Sequence, residues 1–563
     1  MGKIKGSTAS LFIAFMLISQ QVCSENSAIA RFNNIDSIKN GIQTQQYSCE
    51  QLIGEYINRI LQEDMRFDEK HLPLNTIVYI NPFALAQAKA LDAEFAVNKK
   101  VTKALHCVPV LLKDNIHTID MPTQVGSYAM QMSWPPFDAT IVKKLREQGA
   151  IMLAKTAMAE FAMPPADTNS LVGITGNAYD PNLTPGGSSG GAASGVAYGF
   201  GVIGIGSDNS GSIRGPAGLN GLLGLRPSYG LVSVEGTFPL GELNGVFGPI
   251  VYDFADLVKV LEVITGEDKQ DFRTKDIKSF DTALEDLLKV ALKDKRIGII
   301  TKTDKTIDYL HDEQAKKIVE EIFTRLKSLG IQIVPDISLE KFNTDNSDLL
   351  VGGSAYINQY LLKGYSPRMN IADFCASTRT DRLGKPAECK KWIKSDPGIN
   401  SALYHSKRKM FKDNLAIINH IMDKHQLDAL LYLVQKPYYP EGIFSKEHFT
   451  YIASNAGLPA IVIRGPMTEH DLPRPTFLQL IGRKFDEKTL LAIIGQYEAH
   501  WQPERPGKIQ STGGMAFKDI AAFNSYKQQL APALYQYMKE EKINTDNLTR
   551  EKWQAFLLKK IDK

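Results

Sequence analysis

Polar and apolar positions alternate along this chain with two distinct periods. Ser48-Cys49-Glu50-Gln51 has the form of a capping box, and behind it Leu52, Ile53, Tyr56, Ile57, Ile60 and Leu61 recur at helical spacing. Ile77-Val78-Tyr79-Ile80 reads as a strand, and Pro82 opens a second helix to about Phe95. Val108-Pro109-Val110-Leu111-Leu112 is a continuous apolar run, the pattern of a strand buried on both faces. Thr140–Gln148 is helical and Ala150–Ala154 is another apolar strand, so the first third alternates strand and helix, as α/β folds do. Asp428–Val434 and Ala460–Ile463 read as returning core strands, Leu478–Tyr497 as strand then helix, and the tail from Phe517 as amphipathic helix. Residues 266–424 are charged, helical and poor in glycine, and are expected to form a peripheral helical insertion.

Between Gly173 and Gly230 the texture changes. Seventeen glycines fall in 58 residues, where the chain-wide frequency of 43 in 563 predicts about four. Clustered glycine signals special backbone conformations and close approach of main chain to something else. A flexible linker is excluded because apolar residues are interleaved throughout.

Composition adds boundaries. At 43% hydrophobic and 23% charged, the chain resembles an average soluble globule. Sixty-five basic against 62 acidic residues leave a net charge of +3, which offers nucleic acid no basic field. The N-terminus carries Lys3 and Lys5, then the eight-residue apolar run Leu11–Ile18, then Val22-Cys23-Ser24 with small residues at the exit. That is the pattern of a secretory signal peptide over residues 1–24, and the run is far short of the ~20 residues a membrane span needs. A lipid-anchored start at Cys23 is disfavoured by Gln21 and Val22. The mature chain is therefore expected to be exported, periplasmic or secreted. Export leaves Cys49, Cys107, Cys375 and Cys389, which permit two disulfides in three pairings or four buried thiols. Cys375–Cys389, 14 positions apart in a polar stretch, is the expected bridge.

Three familiar motifs fail on context. Gly199-Phe-Gly201-Val-Ile-Gly204 precedes an apolar strand, whereas a dinucleotide fingerprint follows one. Gly186-Gly-Ser188-Ser-Gly190 follows a turn-rich stretch rather than the strand a nucleophile elbow requires. The ten histidines are scattered without metal-ligand spacing. What remains is Pro185-Gly186-Gly187-Ser188-Ser189-Gly190-Gly191, a helix of small residues, the strand Val202–Ile205, and Gly206-Ser207-Asp208-Asn209-Ser210-Gly211-Ser212-Ile213-Arg214. A serine in a glycine-rich loop after a strand is surrounded by backbone N–H groups, as an oxyanion requires.

At these residues the sequence resembles the amidase signature family. The resemblance is strongest from His106 to Gly230 and again at Asn455–Ala460 and Leu478–Glu487. It implies an α/β fold, a large mixed β-sheet flanked by helices on both sides, in one amidase domain over residues 25–563. It also implies a Ser–cis-Ser–Lys triad: Lys113 as base, Ser188 as the bridging serine on a cis peptide, and Ser212 as nucleophile. The 24-residue separation of the two serines is the family's usual spacing. Asn209, Ser210 and Gly211, with Ser212, would offer backbone N–H groups to the substrate, and Asp208 and Arg214 would brace the loop.

The chemistry stands without the family. A serine hydroxyl needs a base, and lysine serves only when neutral. Keeping it neutral at pH 7 costs roughly 4–5 kcal/mol from an unperturbed pKa near 10.4, a shift that burial in an apolar strand can supply. Asp114 should point to the opposite face and leave Lys113 unpaired. Two residues depart from the family's usual glycines: Ser210, which would be strained if its φ were positive, and Cys107. The expected activity is hydrolysis of a small-molecule or peptide carboxamide by water through an acyl-enzyme, with no metal or organic cofactor and no membrane span. An amidotransferase component delivering ammonia from glutamine and a catalytically dead binding protein are the alternatives. The 266–424 region and the loop after Ile463 are expected to shape the substrate pocket.

Overall fold

The computed structural model describes residues 29–240, 243–303, 313–344, 353–364, 366–377, 398–432, 451–468, 473–502, 504–507 and 513–561. The expected signal peptide, residues 1–24, lies outside them.

Eleven strands form one mixed sheet. In chain order these are β1 (Ile77–Ile80), β2 (Pro109–Lys113) and β3 (Ile151–Thr156); β4 (Thr168–Asn169) and β5 (Gly173–Ile174) make a separate two-stranded sheet. They continue with β6 (Ile203–Asp208), β7 (Leu223–Arg226), β8 (Val246–Val251), β9 (Arg296–Lys302), β10 (Gln332–Ser338), β11 (Ala429–Tyr432), β12 (Ala460–Arg464) and β13 (Phe477–Ile481). The order across the large sheet is β1-β3-β2-β6-β8-β7-β12-β13-β11-β9-β10. Pairs β3–β2–β6 and β11–β9–β10 are parallel and the rest antiparallel. Every residue of β2, β3 and β6 is buried, as continuous apolar runs demand.

Local signals placed seven of the eleven strands, β1 to β3, β6 and β11 to β13, and left β7 to β10 unread. Ser48 and Gln51 exchange both capping-box hydrogen bonds, 3.1 and 2.8 Å, and the helix Cys49–Glu63 buries the six apolar positions named above. The edge strand β1 is closed by a distant side chain: Asn524 accepts from Ile80 N–H and donates to its carbonyl, both at 2.8 Å.

The 266–424 region is not simply a helical insertion. Its helices Glu313–Ser328, Gly353–Leu362 and Ala402–Lys424 accompany β9 and β10, which extend the central sheet. β10 is an edge strand with mostly solvent-facing side chains, and Pro335 and Asp336 interrupt its apolar positions.

The bridge seen in full joins the two cysteines for which the sequence left the pairing open. Cys49 is bonded to Cys107 across 58 residues, tying the start of the helix Cys49–Glu63 to the turn before β2. Cys375 is disulfide-bonded, while Cys389, its expected partner, lies outside the described residues. Cys107 has φ +64°, the left-handed region that favours glycine, and its N–H donates to Gly149 O at 2.8 Å.

Candidate active site

Lys113 ends β2 and is wholly buried. Its Nζ donates to Ser188 Oγ at 2.6 Å, Ser207 Oγ at 2.9 Å and Ser207 O at 3.3 Å. Burial depresses its pKa from 10.5 to about 7; the Asp208 carboxylate opposes the shift without cancelling it. Asp208 is already claimed. It accepts from Arg214 Nε at 3.0 Å and Arg226 Nη1 at 3.2 Å, and from the N–H groups of Gly211 and Ile213. Burial would raise its pKa, but the two guanidiniums overcome that and hold it well below the usual carboxylate range. The bracing role expected of Asp208 and Arg214 is what the contacts show.

Asp114 faces the other side of the sheet, as the strand period requires, and accepts from the N–H groups of Gln124 and Gly126, both at 3.2 Å.

Ser188 follows a cis peptide bond with Gly187, in the loop before the helix Gly190–Tyr198. A Cβ on Gly187 would stand 1.9 Å from Ala166 O, so only glycine fits there. Ser189 Oγ donates to Ser207 O and accepts from Ser207 N, both at 3.3 Å, which fastens the loop to the end of β6.

Ser212 is half-buried in the turn between β6 and the helix Arg214–Leu219. Gly186 packs against Pro216 of that helix, so the loops carrying Ser188 and Ser212 adjoin. No hydrogen bond joins the two hydroxyls among the described residues, and Ser212 N–H has no acceptor among them.

The substrate-binding loop is only partly as expected. Gly211 N–H is directed at Asp208 Oδ1 (2.8 Å) and is not offered to a ligand. The carboxylate bound by two arginines needs that donor to complete its shell. Asn209 is fixed by its side chain on Leu240 O (2.8 Å) and by Asn244 on its carbonyl (2.7 Å). Ser210 carries no strain, because the positive φ of this loop, +115°, falls on Gly211. Sequence reasoning missed Ser207 and Asn115, whose Nδ2 donates to Ser207 Oγ at 3.2 Å. The available signal for Ser207 was a hydroxyl beside Asp208 at the end of a strand otherwise made of isoleucine and glycine.

A cavity enclosing about 260 Å³ opens beside this cluster, with Asn115, Ser207 and Asn209 in its wall. The 266–424 region contributes Gln270–Arg273, Tyr356, Gln359, Tyr360 and Lys363; the loop after Ile463 contributes nothing among the described residues. No group of metal-ligating side chains and no helix long and apolar enough to cross a membrane occurs among the described residues.

The Amidase family model matches residues 63–491. A glutamyl-tRNA(Gln) amidotransferase subunit of Prochlorococcus marinus (strain NATL2A) is 30% identical over 82% of this chain and 96% of its own length. Its counterpart in Acaryochloris marina (strain MBIC 11017) is 32% identical over 75% and 90%. Among solved structures, the native peptide amidase from Stenotrophomonas maltophilia superposes with a TM-score of 0.73 at 26% identity, covering 84% of this chain and 98% of that one. With its mixed α/β sheet, its cis-serine loop and these relatives, the chain belongs to the amidase family and is an enzyme that cleaves amide C–N bonds.

Proposed function

We propose that the protein hydrolyses a carboxamide through an acyl-enzyme on Ser212, with Ser188 and neutral Lys113 as its proton relay. The observation that carries this is the contact of a wholly buried lysine, its pKa pushed down to about 7, with Ser188 Oγ at 2.6 Å. Ser212 Oγ attacks the carbonyl carbon while its proton passes to Ser188 Oγ and the Ser188 proton passes to Lys113 Nζ. The oxyanion is held by Ser212 N–H, since the N–H groups of Gly211 and Ile213 on either side are taken by Asp208. Collapse breaks the C–N bond, and the relay returns a proton to the departing nitrogen. Water then attacks the ester by the same route and regenerates Ser212. The Ser188–Ser212 hydrogen bond forms as substrate binds, since catalytic contacts commonly tighten only in the complex.

Release of ammonia or amine from fatty, aryl, peptide-terminal and glutamine-type amides, beside a Ser212→Ala control, tests this. The reading stands if at least one class is turned over and the control is silent; turnover by Ser212→Ala overturns it. The peptide amidase neighbours favour a peptide-terminal amide.

Export is part of the proposal, supported by the N-terminal pattern and by the Cys49–Cys107 bridge, a bond of oxidising compartments. Mass spectrometry of the exported chain should find Glu25 first; an intact Met1 or a lipid on Cys23 overturns it. The relatives named as amidotransferase subunits favour a second reading, ammonia delivery from glutamine to a partner. Glutamine as the sole amide hydrolysed would support it.

A further inference from the structure

The cavity beside Ser207 is walled by rings from three separate stretches of chain. His117 and Phe137 come from the connection between β2 and β3, Phe238 from the segment before β8, and Tyr360 from the helix Gly353–Leu362. Tyr360 and Phe238 meet edge-to-face with centroids 4.7 Å apart, and His117 lies 5.2 Å from Tyr360 and 5.4 Å from Phe137. These spacings are those of mutually supporting aromatic pairs. His117 Nε2 and Tyr360 Oη are 2.8 Å apart, so the ring positions are fixed.

The wall carries no net formal charge. Burial, helped by Lys155 and Lys363, pushes the His117 pKa down to about 3, so the imidazole is neutral at physiological pH. Charges lining the cavity cancel: Arg273 pairs with Asp271 at 2.6 Å, and the charge of Glu235 is offset by that of Lys363. The space, about 260 Å³, falls just below the usual range of ligand pockets and suits a single ring better than an extended acyl chain.

We propose that this cavity selects amides bearing one uncharged aromatic ring next to the scissile bond. The inference rests on the amide-cleaving reading of the Ser212 site, because Ser207 and Asn209 join the cavity to that loop. Face and edge contacts with Tyr360, Phe238 and Phe137 supply the preference, and the lack of net charge removes any advantage for ionic substrates.

The test has two arms. Ammonia or amine release by the wild type is compared for N-acetylphenylalaninamide, N-benzylacetamide, N-acetylglycinamide, octanamide and glutamine. Binding of the same five to Ser212→Ala is measured by calorimetry. One ring-bearing amide should exceed glycinamide and octanamide by about 10- to 100-fold in both arms, the range set by burying an aromatic group. Which of the two leads tells whether the ring sits on the acyl or the amine side. Tyr360→Ala and Phe137→Ala should each lower the ring-to-glycinamide ratio, and Tyr360→Phe should retain it. Phe137 is only half-buried, so its truncation is the variant that keeps the test alive if Tyr360→Ala fails to fold. Octanamide or glutamine in first place, or a ratio unchanged in Phe137→Ala, overturns the proposal. Ring-selective binding without release of ammonia or amine would uphold the cavity assignment and defeat the amide-cleaving reading instead.

Discussion

Two wholly buried lysines stand on neighbouring parallel strands, Lys113 on β2 and Lys155 on β3, and they face opposite sides of the sheet. Burial lowers the pKa of both. Their partners differ. Lys113 touches hydroxyls and one carbonyl, and its nearest carboxylate, Asp208, is held by Arg214 and Arg226. Lys155 Nζ donates to Ile116 O at 2.6 Å and Thr123 Oγ1 at 2.7 Å, close to the Asp114 carboxylate, which favours its ammonium form. Burial alone therefore does not make a lysine a base. On the proposed mechanism it serves as one where the surrounding carboxylates are already neutralised by other cations. Lys155 instead clamps the segment 116–126, which follows Lys113 and Asn115.

The largest expected contrast is in turnover. Lys113→Met should lower amide hydrolysis at pH 7 by a factor of about 10²–10⁴, the range for loss of a general base. Lys155→Met should leave fluorophosphonate labelling of Ser212 detectable in the folded fraction. Equal losses of labelling in the two variants would erase the distinction.

Stability should reverse the ranking. Lys155→Met strands Ile116 O and leaves Asp114 without its cation, and should cost about 2–5 kcal/mol by denaturant unfolding. Lys113→Met should instead stabilise the protein by roughly 2–4 kcal/mol at pH 7, since it removes a buried group kept near neutrality against an unfolded pKa of 10.5. The sign follows from linkage. With the folded pKa near 7 and the unfolded value at 10.5, the unfolded state holds more protons across that window, so wild-type stability rises with pH through it. The advantage of Lys113→Met should shrink over the same range, and an advantage constant from pH 7 to 10 would contradict the depressed pKa.

A smaller effect is expected in the wild-type rate profile. Activity should climb with pH through one ionisation near 7, as Lys113 loses its proton. A midpoint near 10 would mean that the lysine behaves like an ordinary one. Smallest is Ser207→Ala, which removes one of three Nζ contacts and should reduce kcat by about 3- to 10-fold, the worth of one hydrogen bond.

The elements carrying these groups are legible because each signal is local. Continuous apolar runs mark β2, β3 and β6, the capping box marks the helix Cys49–Glu63, and clustered glycine marks the loops around Ser188 and Ser212. Edge strand β10 escapes because Pro335 and Asp336 interrupt its apolar positions. The Cys49–Cys107 pairing escapes because nothing in the chain between two cysteines 58 positions apart records which thiol faces which. Gly211 reads as a donor to substrate because the sequence shows an N–H but not the carboxylate that takes it.

The sequence by itself determined the strands β1 to β3, β6 and β11 to β13, and the residue types and spacing of Lys113, Ser188 and Ser212, since periodicity and motif act over a few residues of chain. The tertiary structure alone decided that Lys113 is dry, that Asp208 is neutralised by Arg226 from another strand, and that rings 243 residues apart, His117 and Tyr360, wall one cavity. Those properties depend on desolvation and on charges brought together through space, and neither is written in local sequence.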